Sequence, residues 1–298
     1  MPEPDAETFE AHRDLMFAVA YRMLGTVADA EDAVQDAWLR WSAAPRRDVT
    51  QPRAYLTKII TNTSLNRLRS ARARREAYLG PWLPEPLLTR ENPDYAERAV
   101  VAESVSLAML VVLESLTPEE RAVFVLREVF GFTHAEIGAA LDRTDASVRQ
   151  LAHRAREHVQ ARRPRFAVDR GQQREVTQRF LDAAGGGDLD ELMAVLAPEV
   201  TLTSDGGGRA RAALRPVAGT AKVARMLFGL RRKVGLDLPD LRSELAEING
   251  GPGLLYTAGG RAFAAMTWEV SGGQVTAIHL ITNPDKLAAI SAGRTLLI

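Results

Sequence analysis

The sequence predicts a multidomain chain, with two all-α modules (a helical bundle and a helix-turn-helix) followed by an α+β domain. Three observations carry this reading. Of the 22 glycines only Gly25, Gly80, Gly131 and Gly138 precede residue 171, so helical periodicity gives way to Gly-punctuated alternation in the last 128 residues. The stretch Leu79 to Pro93, LGPWLPEPLLTRENP, holds four prolines that remove backbone donors and interrupt the helical half. The charges, 38 basic and 38 acidic, are segregated along the chain rather than mixed. The expected limits are 1–76 for the bundle, 77–102 for a Pro-rich linker, 103–165 for the helix-turn-helix and 171–298 for the α+β domain.

In the first module Phe9, His12, Leu15/Met16, Val19 and Met23 share one helical face, and Ala30, Val34, Ala37/Trp38 and Trp41 share the next. Pro52 suits the first position of a third helix, with Tyr55, Ile59, Thr63 and Leu68 inward. In the second module the apolar run SVSLAMLVVLESL leads to Thr117, an N-cap followed by Pro118, Glu119 and Glu120, and Gly131 stops that helix. Thr133 caps a helix through Leu141. A turn from Asp142 to Asp145 then opens a last helix with Val148, Leu151, Ala152 and Ala155 inward. The third module reads as helices at Gln173 to Ala184, Leu189 to Leu196 and Thr220 to Lys233. Its strands fall at Val200 to Ser204, Arg242 to Ile248, Gly253 to Ala258, Arg261 to Val270 and Gln274 to Thr282. Gly259-Gly260 and Gly272-Gly273 supply hairpin turns, so an antiparallel meander curling over a helix is expected.

The absence of Cys excludes disulfides, thiolate metal sites and cysteine nucleophiles. The acidic start, MPEPDAETFE, lacks the basic and apolar regions of a secretory signal, and the longest apolar stretch, Leu107 to Leu113, is too short to span a bilayer. A cytoplasmic protein with no membrane partner is the expectation. By segment, residues 1–36 carry nine acids and two bases, residues 46–75 nine bases and one acid, and residues 143–165 seven bases and two acids. Net neutrality is therefore a cancellation. Asp29, Asp32 and Asp36 fall at i, i+3 and i+7, with Glu31 and Gln35 beside them, opposite the apolar face. No His or third helix converges on these carboxylates, so they suit docking of a basic protein partner better than a metal or acid/base site. The last basic segment lies on the second helix of the helix-turn-helix, where Arg149, Arg154 and Arg156 can reach phosphates and base edges.

DAEDAVQDAWLRW (Asp29 to Trp41), PRAYLTKIITNTSLNRLRSARARRE (Pro52 to Glu76) and the helix-turn-helix, in this order and spacing, resemble an extracytoplasmic-function sigma factor over about 160 residues. The resemblance implies that the bundle is sigma region 2 and the helix-turn-helix region 4, that the partners are core RNA polymerase (β′ clamp and β flap) and promoter DNA, and that transcription initiation is the activity. Asp29, Glu31, Asp32, Gln35 and Asp36 would dock on the β′ clamp. Arg46, Arg47, Arg53, Lys58, Asn62, Asn66, Arg67 and Arg69 would hold the melted −10 strand, a task that needs cations along a single-strand path and room for an extruded base. Asn66 departs from the Asp that relatives often carry. Ser147, Arg149, Gln150, His153, Arg154 and Arg156 would meet the −35 element, with Arg162 and Arg163 on the backbone.

Most such factors stop after region 4 and answer to a separate anti-sigma protein. This chain continues, and its tail resembles the SnoaL-like fold, a cone of curved sheet and helices. Trp82, Leu83, Pro84, Glu85 and Pro86 in the linker, Asp205, Gly206, Gly207, Gly208 and Arg209, and Asn283, Pro284, Asp285, Lys286 and Leu287 match the strings of the sigma subgroup with such a tail. Arg209 stands where relatives often have Lys. These segments are expected to dock on one another and make the tail a built-in regulator. The glycine run itself lacks a GK[ST] ending and reads as a flexible turn rather than a phosphate loop. No cofactor or metal is implied. Asp205, Asp237, Trp268 and His279 do not assemble into a nucleophile, base and orienting group from sequence, so the tail is read as non-enzymatic. A small ligand of the cone stays open. The competing reading is a ligand-responsive DNA-binding regulator that acts without polymerase, which would have no use for region 2.

Overall fold

A computed structural model describes residues 6–44, 49, 51–90, 106–162, 170–238 and 240–297. The chain divides into two compact units, Met1–Ala77 with Met109–Arg163, and Tyr78–Ala108 with Pro164–Ile298. The Pro-rich connector thus groups with the α+β half.

In the first unit α1 (Ala6–Leu24), α2 (Val27–Ala43) and α3 (Pro52–Glu76) form the bundle. Thr26, in an extended conformation, accepts a hydrogen bond from the Asp29 amide and so starts α2. Phe9, Met16, Val19, Met23, Ala30, Val34, Trp41, Leu56, Ile60 and Leu68 are buried between the helices. Each large member contributes about 1.5–3 kcal/mol relative to exposure. Trp38 meets Phe9 edge-on with ring centroids 4.9 Å apart. Tyr55, expected in the core, is half-buried, 6.0 Å from the Trp41 ring.

Helices α4 (Leu107–Leu113), α5 (Pro118–Phe124), α6 (His134–Leu141) and α7 (Asp145–Arg162) follow. Thr117 with Glu120, and Thr133 with Glu136, form reciprocal caps at the starts of α5 and α6. α5 continues into a π-turn, Val125–Val129, that sequence periodicity does not reveal, and the chain leaves it through Gly131 at φ 70°. The turn of the helix-turn-helix is one residue shorter than expected, because Asp145 already belongs to α7. It is tight because a Cβ on Gly138 would stand 2.7 Å from the Arg143 carbonyl oxygen. Asp142 takes the left-handed conformation (φ 52°) that closes α6, one that Asp tolerates better than most residues. Val148, Leu151 and Ala155 are buried, as their spacing requires.

The second unit contains β1 (Leu88–Arg90), α8 (Arg170–Gly186), α9 (Leu189–Val195), β2 (Leu196–Asp205), β3 (Val217–Ala218), α10 (Thr220–Asp237), β4 (Arg242–Ile248), β5 (Gly251–Ala258), β6 (Arg261–Ser271) and β7 (Gln274–Ile281). A 3₁₀ turn (Pro284–Leu287), α11 (Ala288–Ser291) and β8 (Thr295–Leu297) complete it. Among the described residues the strands lie in the order β3-β2-β7-β6-β5-β4-β1-β8. β4 to β7 form the expected antiparallel meander, but β2 joins β7 in parallel, with Asp205 opposite Ile281. The connection between them contains α10 and the meander, so a parallel neighbour is topologically permitted where alternation alone suggested antiparallel pairing. Val176, Phe180, Leu192 and Val223 from the helices pack against Leu202, Met266, Trp268 and Ile278 on one face of the sheet. Trp268 donates through Nε1 to Thr177 Oγ1 at 3.0 Å, which satisfies its polar atom within that core.

The linker, expected to be an extended connector that docks through Trp82 to Pro86, also supplies a strand. β1 runs parallel to β8, with Leu88 opposite Thr295 and Arg90 opposite Leu297, and Leu88 pairs antiparallel with Ile248 of β4. Three residues, LTR, are too few to display a period of two.

Candidate functional site

On α2 the acidic residues are arranged along one side but are not equivalent. Asp32 and Gln35 are exposed, and Asp36 is half-buried. Asp29 Oδ2 accepts a 2.7 Å bond from the Thr26 hydroxyl, so this carboxylate serves the helix cap as well as the stripe. Glu31 pairs with Arg13 at 2.8 Å. Arg67 reaches across from α3 to Asp36 at 2.6 Å and Asp32 at 3.3 Å. Its guanidinium is pushed above its ordinary value, chiefly by the bond to Asp36.

The other residues expected along the single-strand path lie on α3, except Arg46 and Arg47, which fall outside the described residues. Arg53, Lys58, Asn62 and Arg69 meet partners from the helix-turn-helix module of the same unit. Lys58 Nζ lies 2.7 Å from Asp142 Oδ1, and Asn62 Nδ2 donates to the Ala140 carbonyl at 2.9 Å. Arg69 pairs with Glu119 at 2.6 Å, which holds that carboxyl below its ordinary range. The Arg53 guanidinium stands 5.1 Å from the centre of the Phe132 ring. Asn66 is exposed.

On α7 the outward residues are accessible. Ser147 is half-buried and Gln150 exposed, and the side chains of Arg149, His153, Arg154 and Arg156 are 59%, 72%, 59% and 45% exposed. Arg149 pairs with Asp145 one turn back, Arg154 with Glu120, Arg156 with Glu128, and His153 lies 3.5 Å from Glu157. The pairs with Asp145, Glu157 and Glu128 are exposed on both sides and worth about 0–1 kcal/mol, whereas the carboxylate of Glu120 is buried. Arg162 is exposed, and Arg163 lies outside the described residues.

The second unit brings the three tail and linker segments together. Asp205, fully buried, accepts four bonds. Tyr78 Oη and the Gly207 amide reach Oδ1 at 2.6 and 3.0 Å, while the Leu83 amide and Lys286 Nζ reach Oδ2 at 2.8 and 2.7 Å. Lys286 also donates to the Leu83 carbonyl and stands 4.0 Å from the centre of the Trp82 ring and 5.1 Å from that of Tyr78. Burial, and then the bond to Asp205, pushes the Tyr78 phenol upward, so it stays protonated and donates. Asn283 donates to Tyr78 Oη at 2.8 Å and starts the 3₁₀ turn through its bond from the Asp285 amide. Leu83, Pro84, Glu85, Pro86 and Leu287 are buried, while Arg209 and Asp285 form an exposed pair at 2.5 Å.

The glycine run is a packed turn rather than a loose one. Gly207 has φ 59°, and a Cβ there would lie 2.2 Å from Asn283 Nδ2 and 2.9 Å from Tyr78 Oη. On Gly208, at φ 71°, it would meet Leu79 at 3.2 Å, and on Gly206 it would meet the Ala210 carbonyl at 2.3 Å. Sequence reasoning missed Tyr78 and a second tether. The Leu87 amide donates to Asn249 Oδ1 at 3.0 Å, the Asn249 amide returns a bond to the Leu87 carbonyl at 2.9 Å, and Gly250 donates to Thr89 Oγ1. Its signal was INGG, a hairpin turn whose Asn takes φ 53°.

The remaining tail candidates serve different partners. Trp268 belongs to the core, and Asp205 holds the linker. His279 is buried with Nε2 3.6 Å from Glu269, and burial pushes it down to about 4, leaving the ring neutral. The side chain of Asp237 lies outside those described. No group of His and carboxylates among the described residues could hold a metal ion, and no described helix is long and apolar enough to cross a membrane.

Comparison with known proteins places names on these modules. Residues 8–74 match the Sigma-70 region 2 model, and residues 106–159 match the Sigma-70 region 4 model. The ECF RNA polymerase sigma factor SigJ of Mycobacterium tuberculosis strain H37Rv is 42% identical over 292 residues, covering 95% of this chain and 93% of that one. A probable ECF RNA polymerase sigma factor SigI of the same species is 32% identical, covering 97% of each. The crystal structure of M. tuberculosis SigJ aligns with a TM-score of 0.74 at 38% identity, over 95% of this chain and 98% of that one. With its region 2, its region 4 and its α+β tail all matched in one relative, the chain belongs to the extracytoplasmic-function sigma factors.

Proposed function

We propose that this chain is an alternative sigma factor that recruits core RNA polymerase to specific promoters in the cytoplasm, and that its SnoaL-like domain modulates it in place of a separate anti-sigma protein. The supporting observation is the Asp205–Lys286 clasp, in which a buried ion pair of the tail holds the linker at Leu83 and the linker rings of Tyr78 and Trp82 face the ammonium of Lys286. A tether makes this docking intramolecular, so modest intrinsic affinity suffices to hold it. In the first unit, α2 offers Asp32 and Asp36 to a basic polymerase surface, α3 offers cations to the melted strand, and α7 meets the duplex. The relatives are named as sigma factors rather than enzymes, and Asp205, Trp268 and His279 each lie against a different neighbour, which suits a structural role for the tail.

The test is run-off transcription from a genomic fragment library by core polymerase with the full chain. Initiation at a defined set of promoters is expected. An Asp32→Lys/Asp36→Lys variant should retain duplex binding and lose initiation, and Lys286→Met should change promoter output. If core polymerase gains no initiation while the chain alone binds duplex tightly, a polymerase-independent regulator replaces this reading.

A further inference from the structure

The near-neutral tail is itself divided in charge. Gly206 to Leu236 carries eight bases and no acid, whereas the rest of the chain after residue 170 carries six bases and thirteen acids. The basic run folds into the loop before β3, the edge strand of the sheet, and into α10. On α10, Lys222, Arg225, Gly229 and Arg232 fall at i, i+3, i+7 and i+10 and are all exposed, with Lys233 beside them. The same spacing gives the opposite side of the helix, Val223, Ala224, Leu227 and Leu230, to the core. The exposed stripe spans about 15 Å of helix. Among the described residues no carboxylate pairs with Lys222, Arg225, Arg232 or Lys233, and Arg225 is steadied only by its own helix, through Nε to the Ala221 carbonyl. By contrast, Lys58, Arg69, Arg149 and Arg154 each hold a carboxylate already.

A run of exposed cations is a solvated face unless its neighbours select a partner, and here they do. The large apolar side chains exposed in this unit, Leu79, Leu189, Leu214, Leu245 and Phe263, all lie off α10. A helix that enters a bilayer surface needs apolar residues beside its cations, and a protein interface needs an aromatic or aliphatic anchor. The stripe has neither. Instead Ala221 and Gly229 lie exposed among the cations, and a Cβ on Gly229 would meet nothing within 4 Å. Small residues at these positions let a run of phosphates approach the helix. Over about 15 Å one strand of B-DNA presents about four phosphates, as many as the cations of the stripe. We propose that the exposed face of α10 is a second DNA contact, a sequence-independent clamp on the phosphates of a duplex, separate from the reading face of α7. This rests on the reading of the chain as a promoter-binding factor. Because both surfaces belong to one chain, a duplex held by α7 meets the stripe at high effective concentration, so a small contribution from each cation suffices. The tail thereby adds affinity and salt dependence without adding base readout.

The experiment uses the full chain and a fluorescent mixed-sequence duplex of about 40 base pairs, with affinity followed from about 50 to about 200 mM salt. Lys222→Gln/Arg225→Gln/Arg232→Gln/Lys233→Gln should reduce the slope of log K against log salt by about 3 and weaken binding at least about tenfold at the low-salt end, with the thermal midpoint retained. Lys222→Arg/Lys233→Arg keeps the charge and should keep the slope. Gly229→Cys introduces the only thiol of the chain at an open position, and an aryl azide attached there should cross-link to the duplex on illumination. A quadruple variant with the wild-type slope, or no cross-link from Gly229→Cys, overturns the clamp. In that event a slope still lowered by Arg149→Ala/Arg154→Ala leaves the promoter-binding reading intact, whereas a slope that neither variant moves removes both.

Discussion

Replacing Lys286 by Met tests the clasp most directly. Met keeps the length and much of the apolar stem of Lys, so the variant removes the cation with little change in volume. The Asp205 carboxylate would remain fully buried with Tyr78, Leu83 and Gly207 as neutral donors and no positive charge against it. The Leu83 carbonyl would lose its donor from Lys286, and Trp82 would lose the ammonium at its face. Breaking one side of a buried ion pair destabilises by about 3–5 kcal/mol. For a unit of this size each kcal/mol shifts the midpoint by about 2–4 °C, so calorimetry of the full chain should record a fall of roughly 6–20 °C in the transition of the sheet unit. Protease cleavage between Tyr78 and Arg90 should accelerate in parallel. Asp205→Asn with Lys286→Met removes both charges, and the double variant should lose about 2 kcal/mol less than the sum of the singles. A Lys286→Met midpoint within about 1 kcal/mol of wild type, or additive singles, would show that the ion pair does not hold the linker.

Three further outcomes are expected. His279 is held near 4 against about 6.5 when unfolded, so the unfolded chain binds the extra proton between these values and stability falls with acidification, by up to about 3 kcal/mol. Glu269, pushed upward by burial, works in the opposite sense above its ordinary value. His279→Gln should therefore flatten the loss of urea midpoint between about pH 6.5 and pH 4.5, and an unchanged slope excludes His279 as its source. Gly207→Ala places a Cβ against Asn283 and Tyr78 at positive φ and should lower stability by about 2 kcal/mol or more, read as linker cleavage; protection equal to wild type refutes the packed turn. Arg149→Ala/Arg154→Ala should weaken duplex binding and reduce the slope of log K against log salt by about 0.9 for each phosphate no longer neutralised, and an unaltered slope removes these residues from the DNA backbone.

The legible parts of the molecule were those written in local periodicity. Met16, Val19 and Met23, then Val34, Ala37 and Trp41, lie three or four residues apart because they share a helical face, and Thr117 and Thr133 announce helix starts through their own side chains. What pairing decides at long range was not legible. The parallel union of β2 with β7 depends on a partner about 75 residues away, and the same alternation serves either direction. Charge counts identified α3 as cationic, but no count says that Asp142 would lie against Lys58 from 84 positions on. Likewise Asp205 and Lys286 were visible as members of short strings, whereas Tyr78 carried no string of its own, and its role emerges only from the hydroxyl that joins Asp205 to Asn283.

The strand Leu88–Arg90 extends the tail domain back into the linker. Because it separates β4 from β8, a truncated protein that begins at residue 171 would leave β8 without its ladder partner and expose the backbone edge of β4. The module is therefore discontinuous in the gene product: its outer seam is translated before the helix-turn-helix, and the rest after it. During synthesis this seam must wait for the tail to emerge, with Leu83 and Leu87 uncovered in the interval. A graft of this domain onto another sigma factor has to carry residues 78–90 with it, and a transplanted tail lacking them should aggregate rather than regulate.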